Sequence, residues 1–399
     1  MQISAEAKGG DQMIYLTAGE SHGPQLTGII EGLPAGLHID VGAINDNLAK
    51  RQGGYGRGNR QQIEHDTVQV VGGMRHGYTL GSPLALVVKN RDHAHWSEVM
   101  DPLENDSENA QLRQLKHPRP GHADLVGGMK YGHRDLRNVL ERSSARETAI
   151  RVALGSVCQQ FLEQIGIKVV GYVKQLGPLV LSSEDLLDVD RIRREVEAND
   201  MRVLDQDKVE EAHELILKTK KEGDTLGGIV RIVAEGLPAG LGSYISWDTK
   251  LDAKLAFAVM GVNAIKGVSI GDGFEAATRP GSTVMDEILH EDAGWTRRTD
   301  HLGGFEGGMT NGMPVIVNAA MKPIPTLYKP LETADIETKE KSKASVERSD
   351  TTALTACSIV LQSVVCLELA KAVCDEFQSS SMERLKKQIA EYREELARY

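Results

Sequence analysis

The chain has 399 residues and a net charge of −11, with 40% hydrophobic and 26% charged residues, the balance of a globular protein with ample core. That acidity argues against sequence-independent nucleic-acid binding, which needs broad positive surface. No run of about 18 apolar residues marks a membrane span, and the opening MQISAEAKGGDQM has no apolar stretch of the secretory kind.

Residues 1–12 read as an N-terminal extension, and the fold reads as beginning at Met13. From there to residue 40 two strands flank the turn Gly19-Glu20-Ser21-His22-Gly23, and Glu31-Gly32-Leu33-Pro34-Ala35-Gly36-Leu37 closes the second. Asp40 is placed to cap a helix to about Lys50, with Ile44 and Leu48 on one face. A Gly-rich loop carrying Arg51, Arg57 and Arg60 follows, then strands near 68–71 and 84–88 and a polar loop or lid over 92–110. Between Arg113 and Arg151 nine Lys/Arg stand against four acids, a cationic island that suits a multiply charged small anion. Within it Ser144-x-x-Glu147 has the pattern of a capping box, opening a helix that keeps a 3.6 period to Gly166.

Residues 168–181 alternate as a strand, and 183–223 read as an exposed, charged helical excursion without chemistry. At 235–241 the heptapeptide of 31–37 recurs letter for letter, again after an apolar run and before a helix. Gly72-Gly73-Met74 and Gly307-Gly308-Met309 form a second pair, each ahead of a strand, and long helices at 144–165 and 352–377 close each half. Two pairs in order indicate a duplicated unit with pseudo-two-fold symmetry, its halves spanning about 13–166 and 225–378. The tail from Glu383 is a charged amphipathic helix, suited to docking or oligomer contact. Cys158, Cys357, Cys366 and Cys374 form no CxxC pair; reduced buried thiols and a cytoplasmic setting are expected.

Candidate chemistry centres on His22 and His122, each framed by small or stiff residues that let a substrate approach an imidazole. No Cys or carboxylate stands at metal-ligand spacing, so an acid/base pair is expected rather than a metal site. Adjacent residues on an extended segment point apart, which argues against Ser21 as a nucleophile of His22. Arg51 and Arg57 flank Gly53-Gly54, where two guanidinium forks and backbone N–H groups can face one anion. Arg142-Ser143-Ser144 stands at a helix start, favourable for phosphate. Lys322-Pro323-Ile324-Pro325-Thr326 is a stiff segment, either a ligand platform or a simple strand exit. Asp350, after Arg348-Ser349, is a helix cap or a base. Neither a P-loop nor a Rossmann fingerprint is present.

Taken together, GESHG (19–23), RQGGYGRG (51–58), RPGHAD (119–124), RSSARETAIRVA (142–153), VNAIKGVSIGDGF (262–274), GGMTNG (307–312) and ERSD (347–350) resemble the chorismate synthase family from Met13 onward. The resemblance implies an α+β fold, a β-α-β sandwich with internal pseudo-two-fold duplication, in a homotetramer. It implies a carbon–oxygen lyase that converts 5-enolpyruvylshikimate 3-phosphate to chorismate by 1,4-anti elimination, with reduced FMN required and no net redox change. By the same resemblance His22 protonates the departing phosphate and His122 supplies a proton to the reduced flavin. Asp350, with Ser144, assists proton removal through the flavin N5. FMN contacts carry over to Arg142, Ser143, Ser144, Asn263, Ala264, Gly308, Lys322, Pro323, Ile324, Pro325, Thr326 and Arg348, and a reduced-nicotinamide or substrate-anion contact to Arg51 and Arg57. Ser349 and Thr351 depart from the family, which often has His before the aspartate and Pro or a small apolar residue after it. With no reductase insert in the chain, a separate flavin reductase drawing on NADPH is expected. A flavin oxidoreductase on an anionic substrate and a non-catalytic phosphometabolite binder are the competing classes.

Overall fold

The structure, a computed structural model, describes residues 13–57, 65–105, 108–183, 185–291, 294–346, 350–377 and 379–399, without the side chains of 110 and 111. The expectations for 1–12, Arg60 and Arg348 therefore lie outside the described residues.

Two antiparallel sheets enclose a layer of helices. The first sheet has the order β1 (Ile14–Ala18), β2 (Gln25–Glu31), β4 (Leu84–Lys89), β3 (Val68–Gly72). The second has β5 (Lys168–Leu176), β7 (Gly228–Glu235), β9 (Val315–Met321), β8 (Ile265–Ile270), with the short β6 (Leu179–Val180) on its outer edge. Strand for strand, the order repeats. Between the sheets lie α1 (Val41–Gln52), α2 (Thr148–Glu163) and α4 (Leu354–Glu376), with α3 (Leu251–Met260) packed on α4 and β8. Helix α2 packs on β2 and β4, α4 on β5 and β7, and the two helices pack on each other. They meet where Gly155 touches Ser363: a Cβ at Gly155 would lie 2.4 Å from that of Ser363, so a larger residue would push the layers apart.

Helix α4 explains a limit of the composition argument. Thr, Ser, Gln and Glu interrupt its apolar run, yet by length and hydropathy the helix could cross a membrane, and most of that window is buried between the sheets. It is apolar all round because both of its sides face core. All four cysteines are free and buried; burial pushes the Cys357 and Cys374 thiols up to about 12, so the thiolate needed for nucleophilic attack is not available at neutral pH.

The duplication reaches individual atoms. Thr79 Oγ1 donates to Pro34 O (2.6 Å) and accepts from Leu37 N (3.0 Å). Thr310 Oγ1 does the same with Pro238 O (2.7 Å) and Leu241 N (2.9 Å). Each threonine ends a small hairpin, Met74–Thr79 or Phe305–Thr310. This pairing shifts the second motif match by four residues. Gly72-Gly73 corresponds to Gly303-Gly304, and the left-handed turn His76-Gly77 (φ +50°, +83°) to Gly307-Gly308 (φ +60°, +86°). Conformation, not letter identity, carries the repeat here.

The stretch 183–223 is more than an exposed excursion. Its helix Val189–Glu197 buries Val189, Ile192 and Val196 against Val170, Tyr172 and Val233. Its second helix, Val209–Lys221, adds Ala212 and Ile216 to the main core. From that second helix His213 stacks on Tyr55 at 3.9 Å and bonds Asp200 Oδ1 at 2.9 Å, and Tyr55 N–H donates to Asp200 O. The excursion thus holds the loop that carries Arg57.

Candidate active site

The β1–β2 turn is fixed from the helical layer. Asn90 Nδ2 donates to the carbonyls of Glu20, Ser21 and Gly23, the last at 2.7 Å. Arg146 holds Asn90 Oδ1 and makes a bidentate pair with Asp66 (2.6 and 2.8 Å). The backbone N–H of Ser21 donates to Glu141 O (2.9 Å), that of His22 to Glu141 Oε2 (2.8 Å), and His22 Nδ1 faces Oε1 at 2.9 Å. The imidazole stacks on Trp96 with centroids 3.7 Å apart, and the Arg113 guanidinium covers the indole at 3.8 Å. Ser21 Oγ donates to Ser144 Oγ (3.2 Å), so Ser21 points away from its neighbouring histidine and into a hydroxyl pair.

Ser144 caps a short turn, Ala145–Glu147, that leads into α2, its hydroxyl accepting from Arg146 N. The capping box is only half formed, because the Glu147 carboxylate takes Thr17 Oγ1 (3.1 Å) and Arg151 Nε (2.8 Å) instead. One residue back, Ser143 O accepts from Asn263 Nδ2 (2.8 Å). Ala264, in the left-handed region at φ +69°, accepts at its carbonyl from Lys322 N (2.9 Å). From Lys322 the segment runs through Pro323, Ile324 and Pro325 to Thr326, whose hydroxyl accepts from Arg119 (3.2 Å).

Arg119 in turn donates to Asp124 at 2.8 and 3.0 Å, and His122 Nδ1 lies 2.6 Å from Asp124 Oδ1. Burial works to raise the Asp124 pKa, but His122 and Arg119 outweigh it and hold the carboxyl far below the usual range. The links run from Ser21, beside His22, to Ser144, from Ser143 to Asn263, from Ala264 to Lys322, and from Thr326 through Arg119 to His122, so these residues gather around one region.

Arg57 and Asp350 join from the side. They form an ion pair at 3.1 Å, Thr351 N–H donates to Gly56 O, Thr351 O accepts from Leu226 N, and Thr225 Oγ1 reaches Ile324 O. Helix α4 starts at Leu354 with Ala353 at the cap position, so Asp350 does not serve as its cap. Arg51 is turned inward: it is buried and donates to Thr148 Oγ1 (3.0 Å) and Ala145 O (2.9 Å). It shapes the Ser144 turn, and the expected pair of guanidinium forks on one anion is not formed. Much of the cationic island is likewise spent on internal partners, Arg119 on Asp124, Arg137 on Glu141, Arg146 on Asp66 and Arg151 on Glu147. Arg142 reaches back to Thr17 and Gly19 carbonyls.

A family model described as chorismate synthase matches residues 13–374. A chorismate synthase of Lactiplantibacillus plantarum is 64% identical over 386 residues, covering 96% of this chain and 99% of its own length. One from Enterococcus faecalis is 55% identical over 382 residues, 96% and 98%. A solved structure titled as the crystal structure of chorismate synthase superimposes with a TM-score of 0.79 at 38% identity, covering 97% of this chain and 99% of that one. The chain belongs to the chorismate synthase family.

Of the residues that the chorismate synthase motifs nominate, Gly308 stays apart. It lies in the hairpin turn and accepts from Leu251 N at the start of α3, whereas Asn263-Ala264 follow the end of that ten-residue helix, roughly 15 Å away. Residues that the sequence reading passed over include Glu141, Asp124, Asn90 and Trp96. The i, i+2 spacing of His122 and Asp124 was a signal for one dyad; nothing local pointed to Glu141 for the other.

Proposed function

We propose that this protein catalyses the 1,4-anti elimination of phosphate from 5-enolpyruvylshikimate 3-phosphate to give chorismate. The observation that carries the reading is the arrangement of two histidines, each with Nδ1 on a buried carboxylate, at either end of the 143–144, 263–264 and 322–326 contacts. Such dyads are proton devices, and an elimination needs protons moved rather than a covalent nucleophile. His22 protonates the departing phosphate, while Asp350 and Ser144 assist proton removal from C6.

The residues present fit reduced FMN. Lys322 is half-buried, has no carboxylate partner among the described residues, and is held below the usual lysine range by burial and by Lys266; an anion such as a phosphate relieves both. Arg142, Ser143, Ser144, Asn263, Ala264, Lys322 and Thr326 would hold the cofactor, which when bound lends electron density to the substrate and takes it back. Arg57, whose Nε is buried without a partner, contributes to the binding of substrate anion or NADPH. Reduced FMN supplied by a separate NADPH-dependent reductase, a homotetramer and a cytoplasmic setting complete the proposal.

The test is anaerobic. Purified protein, photoreduced FMN and the substrate should yield chorismate and phosphate in equal amounts with the flavin left reduced. Flavin oxidised in proportion to product would instead assign an oxidoreductase.

A further inference from the structure

The two histidine dyads look alike but are built differently. Asp124 is shared: Arg119 donates to it from Nε, from the other end of the guanidinium and from its backbone N–H, and Arg119 also lies 3.1 Å from the His122 ring nitrogen. Glu141 takes most of its bonds from His22, with both carboxylate oxygens within 3.1 Å of Nδ1. Its Oε2 accepts the backbone N–H of His22 and its Oε1 faces Nδ1, while Arg137 approaches Oε1 at 3.3 Å. The carboxylate is 3% exposed. Burial works to raise its pKa, yet the bonds and charge of His22 and the charge of Arg137 hold it below the usual range, so it is an acceptor at neutral pH.

The His22 ring has no freedom to turn away. One edge is on Glu141 and one face on Trp96, whose indole N–H donates to Asp92 (3.1 Å). His22 O is itself held by His93 Nδ1 at 3.0 Å. Among the described residues Nε2 of His22 has no partner. A carboxylate on Nδ1 dictates which tautomer exists, because only Nδ1–H can donate to it.

We propose that Glu141 is the positioning residue of His22: it fixes the Nδ1–H tautomer and presents Nε2 as the atom that meets the departing phosphate, with Trp96 holding the ring plane. The inference rests on the elimination proposed above. As the C3–O bond breaks, its electron pair leaves with the phosphate oxygen, and the Nε2 proton of the imidazolium passes to that oxygen. The neutral ring left behind is the Nδ1–H tautomer that Glu141 already accepts from, so no rotation accompanies the transfer.

Glu141→Gln gives a sharp test. With its amide oxygen on the His22 backbone N–H, the amide NH2 takes the place of Oε1, the oxygen nearer Nδ1 (2.9 Å against 3.1 Å to Oε2), which weakens Nδ1 as a donor and favours it as an acceptor. The balance then moves toward the Nε2–H tautomer. Ring 15N spectra of histidine-labelled protein, assigned by difference against His22→Ala, should show Nδ1–H in the wild type and Nε2–H in E141Q. In the elimination assay kcat should fall by about 10²-fold or more with KM changed by less than about threefold, and Glu141→Asp should recover part of the loss. A neutral wild-type His22 whose single ring proton sits on Nε2 overturns the inference whether or not any variant folds. So does an E141Q protein that keeps wild-type kcat. Absence of turnover by the wild type, with the Nδ1–H tautomer present, overturns the functional reading instead.

Discussion

The same connection is made twice in this fold, with opposite outcomes. In the first sheet β1 and β2 are joined by six residues, Gly19–Pro24, and these carry His22. In the second sheet the matching strands β5 and β7 are joined by residues 177–227, which among the described residues hold β6, two helices and no proton-transfer group of the proposed site. The short loop is pinned by Asn90, Glu141 and Trp96. The long one covers the sheet edge and grips Tyr55, a support for the Arg57 loop. The strands repeat, and the proposed proton donor sits on the shorter link.

The largest break in that comparison is His22→Ala. It should lower kcat by about 10²–10⁴-fold with no change in far-UV circular dichroism, because the neighbouring turn is held through Asn90 and backbone bonds. Next come Thr79→Val and Thr310→Val. Each strips a buried hydroxyl that serves one carbonyl and one N–H of a matched turn, so each should cost about 1–3 kcal/mol in denaturant titration. Equal losses would sharpen the equivalence of the halves, and a large difference would break it. Tyr55→Ala removes the stack on His213, worth about 0.5–1.5 kcal/mol. It should raise the substrate KM up to about tenfold with little change in kcat.

The smallest effect tests the other insertion of the second half, residues 271–303. There burial, with Asp286 and Asp272 adding, pushes the Asp300 carboxyl up to about 7 despite the N–H of Gly304. Its proton is bound more tightly in the folded chain than in the unfolded one. The stability it contributes is complete below about pH 4 and is lost as the pH rises through 7. Asp300→Asn should therefore raise Tm by about 2–4 °C at pH 8 and leave it nearly unchanged at pH 4.

Where pattern is local, the sequence was legible. Asp40 caps α1 through Gly42 N as its position implied, and the β1–β2 turn, the repeated heptapeptide and α2 lie where periodicity put them. Partner choice across the chain was not legible. Glu141 is 119 residues from His22, and no spacing rule reaches that far. Asp350 looked like a cap because a helix follows it, but the helix begins four residues later. Val189, Ile192 and Val196 keep i, i+3, i+7 spacing, yet the density of charge around them hid a buried face. The motif match at Gly307-Gly308-Met309 followed letters, whereas the backbone repeat follows left-handed turns.

The contact of Gly155 with Ser363 has a consequence for synthesis. Helix α2 is the inner wall of the first sheet, and its other side is covered by α4, the next-to-last element of the chain. At about 5–20 residues per second, translation takes on the order of ten seconds or more to travel from one to the other. For that interval the first half emerges from the ribosome with an apolar helix face uncovered. Its final packing waits for the carboxyl-terminal helices, so a stalled or truncated chain is a substrate for chaperones rather than half an enzyme.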